Sequence, residues 1–292
     1  MDNPIGVIGL GIMGGAFARH LVQAGRRVIG FDTNAERRAE AKAAGVEIAH
    51  SAQAVADTAR EIILSLPTAR AVLDTARSIA GMTAHACTII EASTLSLDDK
   101  LEFKAILEKA GHIALDCPIS GSGAHAARKD VVIYASGDAQ AIKRVEPVLL
   151  GFSRQVYDLG EFGNGSKMKF VANHLVAIHT VAAAEAMVLA MKAGLDPQRV
   201  VEVIGAGAGG SRIFDVRAPM MAQNSYLPAT MRSATWKKDL TVIGGFAASI
   251  DCPTPLFAAS EPIYAAALAM GHGPEDMGAV CAVLENMAGV KR

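Results

Sequence analysis

Neither sign of charge prevails in this chain. Its 28 lysines and arginines meet 29 aspartates and glutamates, for a formal net charge of −1, and no more than two like charges stand side by side. That balance argues against nucleic acid and against an anionic membrane as partners. Cysteine is scarce. The four thiols (Cys87, Cys117, Cys252, Cys281) lie far apart, with no Cys-x-x-Cys, and no histidine cluster has metal-ligand spacing. Disulfide staples and a metal centre are therefore not expected; reduced, mostly buried thiols of a cytoplasmic protein are. Aromatics make up only 5 % of the residues against 51 % hydrophobic ones, a mixture rich in alanine and methionine that favours close helix packing. The apolar N-terminal stretch is broken by glycines and has no basic leader, so a signal peptide is not expected. Residues 171–191 are long and apolar enough to span a bilayer, but they include Asn173, His174, His179 and Glu185. Such groups are costly at membrane depth, and a buried helix is the expected state, with both histidines packed rather than catalytic.

What is present begins with a strand candidate, 5–10, that runs into Gly9-Leu10-Gly11-Ile12-Met13-Gly14. A segment with helical spacing follows at 16–25, then a second short apolar run, 28–31, that ends in Asp32 and Thr33. In this arrangement the glycines let the backbone turn tightly and approach a pyrophosphate, and the free N–H groups at the helix start favour its charge. A carboxylate after the second strand accepts from the ribose hydroxyls of NAD and repels the 2′-phosphate of NADP. Arg37 and Arg38, which can serve NADP, are expected on the next helix as solvated surface.

Strand and helix patterns then alternate. Helices are expected at 35–44, 69–79 and 97–110 and strands at 61–66 and 88–91, which builds a parallel sheet covered by helices on both faces. Ligands bind at the carboxyl ends of such strands, so Leu66-Pro67 and Ser93-Thr94 fall on the cofactor side. Ser120-Gly121-Ser122-Gly123 follows, a loop rich in N–H and hydroxyl donors suited to a carboxylate; a plain polar turn is the competing reading. A strand at 130–135, a helix around 145–148 and a strand at 154–159 lead to the pair Gly163 and Gly165.

From there every apolar segment reads as helix: 167–193, then from Asp196-Pro197 to the glycine cluster 205–210, 231–248, 255–270 and 274–287. At 1.5 Å per residue the first is roughly 39 Å long and is expected to span both halves of the chain. Lys169 and Asn173, four apart near its start, share one face. Broad apolar faces in the helical half suggest a homodimer or homotetramer.

Four segments together resemble the β-hydroxyacid dehydrogenases, the group of 3-hydroxyisobutyrate dehydrogenase and tartronate semialdehyde reductase, with 6-phosphogluconate dehydrogenase a larger relative. They are Gly9-Leu-Gly-Ile-Met-Gly14, Asp116-Cys-Pro-Ile-Ser-Gly-Ser122, Gly163-x-Gly-x-x-x-Lys169-x-x-x-Asn173 and Lys238-Asp-Leu240. The resemblance implies Lys169 as general acid/base, Asn173 as a substrate holder, Ser120 and Gly121 on the substrate carboxylate, and Leu66, Pro67, Thr94 and Lys238 along the cofactor. Ser122, His125, Lys129 and Asp130 depart from the family pattern, which leaves the substrate open. Arg212 reads as a surface residue before it reads as a second anchor for an acidic substrate.

The expectation is thus an α/β protein. Residues 1–162 form an N-terminal Rossmann domain, a doubly wound, mostly parallel sheet, and 163–292 an all-α domain for substrate and dimerisation. The expected activity is hydride transfer between NAD(H), with NADP possible, and a small β-hydroxyacid or its semialdehyde. An imine or ketone reductase on the same scaffold and a non-catalytic dinucleotide sensor remain as alternatives; retention of Lys169 speaks against the first, and the intact Lys169–Asn173 pair against the second.

Overall fold

The computed structural model describes residues 3–81 and 85–292, and the chain divides into two compact units, Met1–Lys169 and Phe170–Arg292. The first unit alternates β1 (Ile5–Ile8), α1 (Ile12–Gln23), β2 (Val28–Phe31), α2 (Ala35–Ala43), β3 (Glu47–Ile48), α3 (Ala52–Thr58), β4 (Glu61–Leu64), α4 (Ala69–Ala80), β5 (Thr88–Glu91), α5 (Leu97–Lys109) and β6 (Ile113–Asp116). The six strands are all parallel, in the order β3-β2-β1-β4-β5-β6. Strands such as Ile-Gly-Val-Ile and Thr-Ile-Ile-Glu are buried throughout, as a sheet covered on both faces requires. Phe17 and Leu21 pack on one face, and Val55, Val72 and Phe103 on the other. The chain moves outward from β1 to β3 and then crosses back to β4. Ligands bind at the strand carboxyl ends beside such a reversal, and the glycine turn and Leu66 both lie there.

The alternation does not simply continue past β6. Pro118 has no N–H with which to extend a ladder, and the chain enters a second, three-stranded sheet in which β7 (Ile119–Ser120) runs antiparallel to β8 (Val132–Ala135) and β8 parallel to β9 (Gln155–Asp158). Between them lie the short α6 (Gly123–Ala127) and α7 (Ala139–Phe152); Phe152 meets Phe17 with ring centroids 4.4 Å apart. A bridge between Asp116 and Ser136 ties the two sheets together.

Helix α8 (Asn164–Lys192) is 29 residues long, roughly 44 Å at 1.5 Å per residue. Its first turns belong to the first unit and the rest, from Phe170, to the second. Long and apolar enough to cross a membrane, it has 44 % of its most apolar window buried in the protein. The second unit continues with α9 (Pro197–Gly205), α10 (Arg212–Gln223), α11 (Ser233–Ser249), α12 (Pro255–Ala269), a 3₁₀ turn at Met277–Ala279 and α13 (Val280–Ala288). The sequence pattern did not reveal α10. It starts where Ser211 Oγ accepts the Phe214 N–H at 3.0 Å and buries Phe214, Ala218 and Met221. The helix expected from 274 begins only at Met277, because Asp276 is held out of it as a cap: its carboxylate accepts from Gly278 N at 3.0 Å and from Thr230 N at 2.9 Å. Trp236, Phe257, Tyr264 and Met221 sit in the core of this unit.

Candidate active site

The glycine turn after β1 shows three different needs. Gly9 has φ +91°, and a Cβ there would lie 2.2 Å from Ser65 O; one on Gly14 would lie 1.9 Å from Gly9 O. The protein itself therefore demands both glycines. Gly11, the N-cap of α1, would meet no protein atom within 4 Å, so its glycine answers to whatever must approach the helix start closely. No acidic side chain stands in the first turn of α1, and the free N–H groups favour an anion. Leu10, Gly11 and Ile12 border a cavity of about 210 Å³ that Arg19 and the paired Arg37 and Glu40 also line. These residues fit the pyrophosphate of a dinucleotide.

Asp32 closes this turn. Its Oδ2 accepts the Leu10 N–H at 2.7 Å and its Oδ1 the Asn34 N–H at 2.8 Å. A carboxylate has about four lone-pair sites, so capacity remains for ribose hydroxyls. Arg37 pairs with Glu40 at 2.8 Å. Arg38 is not the solvated surface group expected: half-buried, it donates to Asp32 O at 2.6 Å and Thr33 O at 3.0 Å. Both carbonyls lie at the end of β2, beside the carboxylate.

The neighbouring strand ends are linked by side chains. Leu66 N donates to Ser93 Oγ at 3.1 Å, and Ser93 N to Glu91 Oε1 at 2.9 Å. Pro67 is exposed and Thr94 half-buried. Behind them is a cluster that sequence reasoning did not find. Lys100 on α5 donates to Asp116 Oδ1 at 2.8 Å and to Glu91 Oε2, and all three side chains are fully buried. Burial alone would push the ammonium down, but Asp116 and Glu91 outweigh it and hold the group well above the ordinary lysine value. Its one sequence signal is position: Lys100, Phe103 and Leu107 share the buried face of α5.

The loop after Pro118 is not a free polar turn. Ser120 pairs with Val132 across the small sheet, and Gly121 has φ +137°, a conformation that favours glycine. Ser122 N–H and Oγ lie 3.3 and 2.8 Å from His125 Nδ1. A nitrogen that accepts from an N–H carries no proton, which leaves the neutral ring protonated at Nε2. His20 Nε2 reaches Ala126 O at 2.9 Å, so α1 and α6 hold together. Lys129, where the resembled family has glycine, is exposed and has φ +61°.

At the start of α8 the backbone is fixed from below. A Cβ on Gly165 would lie 2.3 Å from Tyr134 O and 2.7 Å from Asp116 O. Gly165 N donates to Ser136 Oγ at 2.9 Å, and Ser166 donates to Asp116 through N at 2.7 Å and Oγ at 2.9 Å. Lys169, three residues further, is 8 % exposed. In the second unit, buried Asn173 donates through Nδ2 to Asp239 Oδ2 at 2.9 Å. Because the carboxylate only accepts, the amide must turn its carbonyl the other way. Asp239 Oδ1 lies 3.4 Å from Lys238 Nζ. Asp239 was missed although it stands inside Lys238-Asp-Leu240. Arg212 is exposed on the first turn of α10, and His174 stacks on Phe257 with centroids 5.4 Å apart.

Residues 4–160 match the family described as the NAD binding domain of 6-phosphogluconate dehydrogenase, and 163–284 that described as NAD-binding of NADP-dependent 3-hydroxyisobutyrate dehydrogenase. The chain is 34 % identical to an L-threonate dehydrogenase of Cupriavidus necator, over 96 % of this chain and 95 % of that one. To the L-threonate dehydrogenase of Haemophilus influenzae it is 31 % identical, over 97 % and 96 %. Among solved structures, a Mycobacterium tuberculosis 3-hydroxyisobutyrate dehydrogenase with L-serine superposes with a TM-score of 0.89 at 31 % identity, covering 97 % of this chain and 99 % of that one. With its Rossmann unit, its all-helical second unit and these full-length relatives, the chain belongs to the β-hydroxyacid dehydrogenases, NAD(P)-dependent oxidoreductases of the 3-hydroxyisobutyrate dehydrogenase type.

Proposed function

We propose that this enzyme transfers hydride between NAD and a small hydroxyacid, with Lys169 as general acid/base and NAD favoured over NADP. A bound nicotinamide supplies the hydride acceptor in oxidation and the donor in reduction. The chain's own residues handle the rest. In oxidation the Lys169 amine takes the proton of the substrate hydroxyl; in reduction its ammonium stabilises charge on the carbonyl oxygen and returns the proton. Ser120 and Gly121 hold the substrate carboxylate, and Ser122, locked to His125, shapes the loop beside them. Asn173, oriented by Asp239, holds the substrate. Gly9 to Gly14, Asp32, Thr33, Leu66, Pro67, Thr94 and Lys238 serve the cofactor.

The observation that carries this reading is the burial of Lys169 one turn into a helix whose start is pinned to Asp116 and Ser136. A lysine buried this far has little use as a surface charge. The relatives' names set the assay panel: L-threonate and 3-hydroxyisobutyrate, with L-serine added. Lys169→Ala is expected to lower kcat by about 10²–10⁴-fold, the usual worth of acid/base help, while NADH titrations retain their affinity. Near-normal turnover would remove the lysine from the mechanism. Exposed Val171, Leu175, Leu189 and Leu256 on the second unit favour a homodimer or homotetramer, and neither nucleic acid nor membrane is proposed as a partner.

A further inference from the structure

The fully buried Lys100 is neither on the glycine turn nor in the substrate loop, and hydride transfer does not call for it. Taking an ammonium and two carboxylates out of water is expensive, and apolar side chains of similar size would fill the same space. What the cluster contacts suggests why it is there. Two chains of hydrogen bonds leave it. From Asp116 the first runs to Ser166 N and Oγ, at the start of α8, one turn before Lys169. Ser136 Oγ reinforces this arm, accepting Gly165 N at 2.9 Å and lying 3.2 Å from Asp116 O. From Glu91 the second runs through Ser93 N to Ser93 Oγ and on to Leu66 N, in the strand-end loops assigned above to the cofactor. The cluster has a formal excess of one carboxylate, and that excess faces N–H donors of Ser93 and Ser166, the latter at the positive end of the α8 dipole.

We infer that Lys100 is a positioning residue for the reaction: through Asp116 it sets the start of the helix that carries Lys169, and through Glu91 and Ser93 it sets the loop at Leu66. One buried charge thereby fixes the proton-transfer group and the cofactor rim in a common frame. The ion cluster serves because its bonds are directional, where an apolar plug would let the helix start and the loop shift independently. This inference rests on the reading of Lys169 as the acid/base.

Each arm can be weakened alone by a small substitution. Ser166→Ala removes the hydroxyl link to Asp116 and is expected to lower kcat about tenfold with the KM for NAD unchanged, since sub-ångström displacement of a catalytic group is costly. Ser93→Ala removes the acceptor of Leu66 N and is expected to raise the KM for NAD about fivefold with kcat nearly kept. Lys100→Met should do both. Assays use NAD with L-threonate and 3-hydroxyisobutyrate, with NADH affinity read by its fluorescence and folding by circular dichroism. A merely structural cluster predicts lower melting temperatures in all three variants but parent-like kcat and KM in the folded protein, and that result overturns the inference. Should Lys100→Met fail to fold, the two serine variants decide. Lys169→Ala is run alongside. Loss of turnover there with parent-like serine variants removes only the positioning role, whereas retained turnover in Lys169→Ala removes the acid/base reading on which it stands.

Discussion

Both oxygens of Asp32 accept backbone N–H groups, from Leu10 in the glycine turn and from Asn34 at the start of α2. The carboxylate braces the turn, and in the proposed reading it also presents negative charge to the ribose. Arg38, bound to the Asp32 and Thr33 carbonyls, stands ready to favour a phosphate once that charge is gone. Asp32→Ser is accordingly expected to raise the NADP-to-NAD ratio of kcat/KM on the order of 10²-fold, the worth of about 3 kcal/mol of charge repulsion near a protein surface. Activity with NAD should fall too, because Leu10 N loses its acceptor; an unchanged ratio would show that Asp32 only braces the turn. At this scale, what the sequence revealed depended on whether a residue's chemistry was local. Gly9, Gly14 and Asp32 could be placed because a turn and the strand beside it are close in sequence. Glu91, Lys100 and Asp116 could not, since their meeting depends on the adjacency of β5 and β6 and on the facing of α5.

Helix α8 shows how an element transmits such placement. Its first turn is tied to β6 and β8 by close backbone approach at Gly165, where a Cβ would lie 2.3 Å from a carbonyl oxygen. Gly165→Ala must push the helix start away from Asp116 and Ser136. It is expected to cost about 1–3 kcal/mol of stability, as overpacking does, and to lower kcat as well, because Lys169 rides one turn further along the same helix. Gly245, exposed within α11 and with no atom within 4 Å of a Cβ, supplies the contrast. Gly245→Ala should stabilise by about 0.5–1 kcal/mol through helix propensity and leave kcat alone. Thermal melts and saturated initial rates check both. Equal effects of the two substitutions would mean that the contact at Gly165 is unimportant. Strands β2 and β5 were legible to the residue, being short apolar runs between clear breakers. Helices α3 and α10 were not: α3 has seven residues, too few for a periodicity, and α10 follows a glycine cluster that reads as an ending.

Each unit buries an ion cluster, Lys100 with Glu91 and Asp116 in the first and Arg217 with Asp276 in the second, and the two have different uses. That of the first unit holds strand-end loops and the start of α8. That of the second is architectural: Asp276 lies 3.3 Å from Arg217 and accepts from Thr230, Met231 and Gly278, closing the loop before α11 onto the turn before α13. Burial pushes the Asp276 carboxyl up, but Arg217 and these donors outweigh it and leave it below the usual aspartate range. A folded-state pKa below the unfolded one contributes stability that is fully present above the unfolded value, near 4, and is lost as pH falls through the folded one. Asp276→Asn removes the charge while leaving Arg217 buried, and is expected to cost about 3–5 kcal/mol at neutral pH, as breaking a buried pair does. The gap between variant and parent should then narrow below about pH 4, where the parent's own carboxyl takes up its proton. The single tryptophan, Trp236, is buried in the core of this unit, so its fluorescence follows the loss of that core directly. A gap that stays constant down to strongly acid pH would mean that Asp276 acts through its shape and hydrogen bonds and that its charge contributes nothing.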